Sequence, residues 1–137
     1  MVGVTTGLLA ADGGDAIPLA AALPLGALLL LSGVGILEIA RRSAKDLLAP
    51  FGSVGVRTSA TARSEDAWYA GQRAAAPLLA VAGATSALAG LILFARPSNA
   101  LAALMIVVAA QVMVAFSLGG CAKGHKAARR TTVSAET

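Results

Sequence analysis

Residues 17–40 read IPLAAALPLGALLLLSGVGILEIA, a run in which Glu38 is the only ionisable side chain. At about 1.5 Å per residue, a helix of this length crosses a hydrocarbon core of roughly 30 Å. The run therefore settles which solvent surrounds the chain: this part is a membrane span. The remainder agrees. The chain is 57% hydrophobic with a mean hydropathy of +0.77 and only 13% charged residues, a balance that soluble domains rarely show. Few of the apolar residues are aromatic, so the spans are built from small aliphatic side chains.

Working outward, residues 74–95 carry no charge and stop before Arg96 and Pro97. Residues 99–121 carry none either, and Gln111 is their strongest polar side chain. These are spans two and three, and the short turn at 96–98 makes them an antiparallel hairpin. The predicted architecture is all-α with three spans. An external segment occupies residues 1–16, span one 17–40, a cytoplasmic loop 41–73, span two 74–95, an external turn 96–98, span three 99–121 and a basic cytoplasmic tail 122–137.

Orientation follows from the lysines and arginines, which accumulate on the cytoplasmic side of short connections. Residues 1–16 hold none. The first loop holds Arg41, Arg42, Lys45, Arg57, Arg63 and Arg73, the turn holds Arg96, and the tail holds Lys123, Lys126, Arg129 and Arg130. The amino terminus is expected outside and the carboxyl terminus inside. Without a basic stretch ahead of it, span one is expected to remain as an anchor. The net charge of +4 sits at membrane boundaries, with no interleaved aromatic platform for bases, so no nucleic acid partner is expected. Anionic lipid is the expected counterpart of the basic tail.

Between spans one and two lies GVRTSATARSEDAWYAGQR, residues 55–73, dense in hydroxyl, charged and aromatic groups. Ser64 followed by Glu65 and Asp66 predicts a helix start, with a hydroxyl capping free N–H groups and carboxylates on the positive end of the dipole. The predicted element is a short cytoplasmic cap helix that enters the membrane through a kink at Pro77. Trp68 and Tyr69 suit headgroup depth. Trp68, Gln72 and Arg73 also share one helix face, from which they can close a cap or pocket with Arg57 and Thr58.

This loop resembles the SdpI family of small bacterial integral membrane proteins. Gly55, Arg57, Thr58 and Thr61 follow its Gly-x-Arg-Thr-x-x-Thr pattern, and Ser64 and Trp68 come next at matching spacing. Gln72 and Arg73 stand where the family commonly has His-Arg, so Gln72 keeps hydrogen bonding but loses proton-linked chemistry. The resemblance implies a multi-span inner-membrane protein. The best-known member gives its producer immunity to a secreted toxin and holds a repressor at the membrane. Full-length immunity-type members carry additional spans, and the three-span chain resembles the shorter form.

The remaining candidates point to structure. Glu38 lies one turn before Arg41 and Arg42, which can pair with it at the boundary. Gln111, in mid-span, is expected to hydrogen-bond a neighbouring helix. Gly26, Gly33 and Gly35 on span one and Gly83, Ala87 and Gly90 on span two permit close helix packing. Gly13-Gly14 and Gly119-Gly120 read as boundary turns. Cys121 and His125 are each the only residue of their type, which leaves no disulfide, no closed metal site and no cofactor to expect. No nucleophile-base set or phosphate loop is present, so no enzyme is expected. The tail lacks apolar periodicity and is expected to be mobile. Two functions fit. The first is a non-catalytic binding protein with Arg57 and Trp68 anchoring a peptide or protein partner on the loop. The second is an accessory subunit of a larger membrane complex, its helices packed against other membrane chains or copies of itself.

Overall fold

The computed structural model describes residues 16–134. The external amino-terminal segment expected at 1–16 lies, apart from Ala16, outside the described residues. Three helices follow in order: α1 (Leu19–Ala44), α2 (Glu65–Phe94) and α3 (Asn99–Ser134). Each is long and apolar enough to cross a membrane. Pro18 precedes α1 with φ −58°, a value its ring fixes and the helix needs. Ser64 starts α2, its hydroxyl accepting from the Ala67 N–H at 3.1 Å, with Glu65 and Asp66 in the first turn. At the far end Arg96 turns into the left-handed region (φ 54°) and Pro97 stops the helix.

Three sequence expectations change here. The cap helix is not a separate element: α2 runs unbroken from Glu65 through Pro77 to Phe94. The tail is helical as far as Ser134, where a mobile segment was expected, and Gly119-Gly120 lie inside α3 and not at a boundary turn. Alanine, lysine and arginine are strong helix formers, so the tail continues span three without needing an apolar stripe. At 36 residues, α3 is about 54 Å long, well beyond a hydrocarbon core of roughly 30 Å. Its end and the start of α2 therefore project together on the side of the long loop.

α2 is the central helix, packed against α1 on one side and α3 on the other, with no comparable packing between α1 and α3. The α1–α2 contact is made by backbone. A Cβ at Gly33 would overlap the Ala87 backbone nitrogen, one at Gly83 would stand 2.8 Å from the Gly33 carbonyl oxygen, and one at Gly90 2.7 Å from that of Gly26. The Ser86 hydroxyl donates across this contact to the Leu29 carbonyl at 2.9 Å. Gly35, by contrast, faces open space. At the turn end Ile17, Ala22, Leu93 and Ala102 form a buried cluster joining all three helices. The outward faces carry leucines and valines such as Leu28, Leu31, Leu104 and Leu118, the surface a bilayer requires.

Of the two polar side chains read as structural, one is placed as expected and one is not. Glu38 meets the arginines one turn on and not a neighbouring helix: it stays exposed and accepts from Arg42 Nε at 2.8 Å, with Arg41 3.7 Å away. Gln111 is exposed and has no hydrogen-bond partner within the described residues. Small residues, not the polar one, choose which face of α3 meets α2.

Candidate functional site: the loop cap

The loop between α1 and α2 passes through the left-handed region three times, at Asp46 (φ 56°), Phe51 (φ 58°) and Gly55 (φ 117°). Each of these turns brings a loop residue onto the same face of α2. Asp46 Oδ2 accepts from Arg73 Nη1 at 2.5 Å. The Phe51 ring meets Trp68 with centroids 5.9 Å apart and planes tilted by 52°, a geometry that aromatic pairs favour. Gly55 lies against Gln72. Trp68, Gln72 and Arg73 thus each meet a loop residue; Gly55 belongs to the sequence pattern, whereas Asp46 and Phe51 do not.

Gln72 is the centre of the cap. Its side chain is fully buried, its Oε1 accepts from the Val56 N–H at 2.9 Å, and its Nε2 donates to the Val56 carbonyl at 2.9 Å. The amide thereby replaces the backbone partner that a strand would supply, satisfying two buried main-chain groups at once. A Cβ on Gly55 would lie 2.7 Å from the Gln72 Oε1. Positive φ and lack of space both require glycine at that position.

Thr61 locks the turn that follows. Its hydroxyl accepts from the Thr58 N–H at 2.9 Å and faces the carbonyls of Val56 and Thr58 at 3.2 and 3.0 Å. Thr58 Oγ1 in turn accepts from the Thr61 N–H at 3.3 Å. Beneath this turn α2 and α3 come closest. A Cβ on Gly71 would sit 2.6 Å from Thr61 Cγ2, and one on Gly124 would sit 2.8 Å from the Gly71 carbonyl oxygen. Ala60 of the loop, Ala67 of α2 and Ala128 of α3 form a buried cluster there. The tail is therefore part of the cap. Sequence reasoning missed Gly71, Gly124 and Ala128, although Gly120, Gly124 and Ala128 recur every four residues, as do Ala67, Gly71 and Ala75.

Trp68 is 2% exposed, so it supports the cap from within and is not a surface anchor. Its Nε1–H and the Ser43 hydroxyl are buried without a partner among the described residues. Arg57 is the reverse case. It is exposed and makes no hydrogen bond or ion pair within the described residues, while Val56 and Thr58 on either side are held by the bonds above. Two open grooves border the cap. One, about 570 Å³, is lined by Leu37, Ala40, Arg41, Arg73 and Pro77; the other, about 510 Å³, by Asp66, Tyr69, Arg73, Arg130 and Thr131. Arg73 stands between them.

The Gly55-Thr61-Trp68 arrangement and the hairpin that carries it lie within a match to the SdpI/YfhL protein family over residues 49–119, just over half of the chain. The chain belongs to the SdpI/YfhL protein family. No curated protein and no solved structure matches it. The family match begins in the loop and includes the cap residues from Phe51 to Arg73 and the turn joining α2 to α3. α1 and the end of α3, with Gly124 and Ala128, lie outside it.

Proposed function

We propose that the chain is a non-catalytic inner-membrane binding protein of the SdpI immunity or signalling type, with its cap in the cytoplasm as the contact surface. Arg57 carries this reading. Val56, Thr58 and Thr61 around it are committed to internal bonds, while its guanidinium is exposed and unpaired within the described residues. A planar five-donor fork on a held backbone suits a carboxylate or a cluster of carbonyls on a partner peptide or protein. The orientation is supported by the basic residues of the loop and tail, which gather at the capped end, against Arg96 at the other.

The test is Arg57→Lys, which keeps the charge that orientation needs and loses the fork. At equal membrane levels, recovery of co-purifying partner chains, and rescue of whatever phenotype deletion produces, are expected to fall. Equal recovery and full rescue would remove Arg57 from the contact surface. In a Cys121→Ser background, a cysteine at Ser98 is expected to react with an impermeant thiol reagent from outside intact cells, and one at Ser134 is not. A second reading, an accessory subunit of a larger assembly, draws on the exposed leucines of α1, including Leu23, Leu28 and Leu31. Under that reading Arg57→Lys leaves partner recovery intact, and polar substitutions on α1 abolish it.

A further inference from the structure

α3 has two faces with different periodic patterns. Ala102, Ala109, Gly120 and Gly124 are buried on the side of α2. On the opposite side Leu104, Val107, Gln111, Val114, Leu118 and Cys121 recur at alternating steps of three and four residues. That is the heptad seam of a pair of coiled helices. All six are exposed, Leu104 at 58%, Val107 at 57%, Val114 at 56% and Leu118 at 66%. Gln111 sits at the middle of the apolar segment, where no other group of the described residues meets its amide.

An apolar outward face alone identifies no partner, since lipid covers it equally well; α1 has such a face. The amide on the α3 seam is different. A primary amide in hydrocarbon needs both a donor and an acceptor, and an identical amide facing it across a two-fold axis supplies both. Two copies inserted with the same topology are related by an axis along the membrane normal, so their α3 helices run parallel and equal residue numbers meet. A single polar residue at one core position of an apolar seam also sets register.

We infer that α3 is a homodimer seam, in which Gln111 of one copy pairs with Gln111 of a second copy and Leu104, Val107, Val114 and Leu118 interdigitate around them. Cys121, ten residues along and about 15 Å from Gln111, lies on the same seam and reports on it without any mutation. In native membranes, copper phenanthroline and air are expected to convert the chain to a disulfide-linked species of twice the monomer mass. In a Cys121→Ser background, cysteines at Val114 and Leu118 are expected to cross-link, and one at the equally exposed Leu31 of α1 is not. Gln111→Leu keeps the seam apolar and removes the amide pair; it is expected to lower the association constant about three- to tenfold, read from the Cys121 cross-linked fraction at increasing dilution in lipid. Cross-linking at Val114 and Leu118 no better than at Leu31 would overturn the inference. So would a cross-linked fraction indifferent to Gln111→Leu, or a native product with the mass of a different chain.

Discussion

The two ends of the bundle solve the same problem, a chain reversal between packed helices, with very different amounts of structure. At the turn end, Arg96 takes the left-handed conformation and its Nε donates to the Ile17 carbonyl at 3.3 Å. The Ile17 N–H donates to the Pro97 carbonyl at 3.1 Å, and nothing more elaborate is needed. At the loop end, three left-handed residues, a buried amide, a threonine network, an aromatic pair and the end of α3 act on one segment. A reversal alone requires only the first kind of structure. The second kind holds the backbone on both sides of Arg57, so the difference between the ends separates closing a hairpin from presenting a side chain.

Trp68→Ala is expected to break this contrast most severely. Removing a buried aromatic side chain costs about 3–5 kcal/mol, here borne largely by the cap. Trypsin provides the readout, because Arg57 and Arg63 are cleavable only when the loop opens. Cleavage at these sites in detergent is expected to accelerate at least about a hundredfold, at about 1.4 kcal/mol per factor of ten. An unchanged rate in correctly inserted protein would mean that the loop is already open.

Gln72→Leu comes next. It fills similar space but leaves the Val56 N–H and carbonyl buried and unmet, a loss of about 1–3 kcal/mol in all because the buried amide is removed with them. Loop cleavage is expected to rise about tenfold to a hundredfold, with thermal unfolding of the helices little changed. Equal cleavage of the variant and the parent would show that the bidentate amide is dispensable.

The smallest effect is expected at the other end. Arg96→Gly loses one partly buried hydrogen bond, about 0.5–1.5 kcal/mol, and relieves a left-handed residue that costs about 1 kcal/mol or more. Helix unfolding is expected to shift by less than about 1 kcal/mol, and tryptic cleavage within the loop is expected to stay at the parental rate. A faster loop would mean that the two ends are coupled through α2.

How much of this was legible in the sequence depends on which physical signal carried it. Hydropathy marked the three spans because lipid demands long apolar runs, and Ser64-Glu65-Asp66 marked the start of α2 because a helix terminus has local chemistry. The shared face of Trp68, Gln72 and Arg73 follows from helical spacing alone. Their loop partners do not: Asp46 and Phe51 occupy a left-handed conformation that neither residue type announces, and Val56 acts through its backbone, which no side chain reveals. The helical end of α3 was missed because apolar periodicity was the criterion, whereas Gly124 and Ala128 pack by being small. The same ridge decides the fate of Gln111. α3 meets α2 along Gly120 and Gly124, so the amide, on the other face, is turned away from its own bundle.

The account rests on the cap being folded around Gln72, and hydrogen exchange of the Val56 amide in lipid nanodiscs tests this most directly. With the Gln72 Oε1 as its buried acceptor at 2.9 Å, this amide is expected to exchange at least about a hundredfold more slowly than in an unstructured peptide, with that protection lost in Gln72→Leu. Exchange at the unstructured rate in the parent protein would contradict the account and leave Arg57 on an open loop.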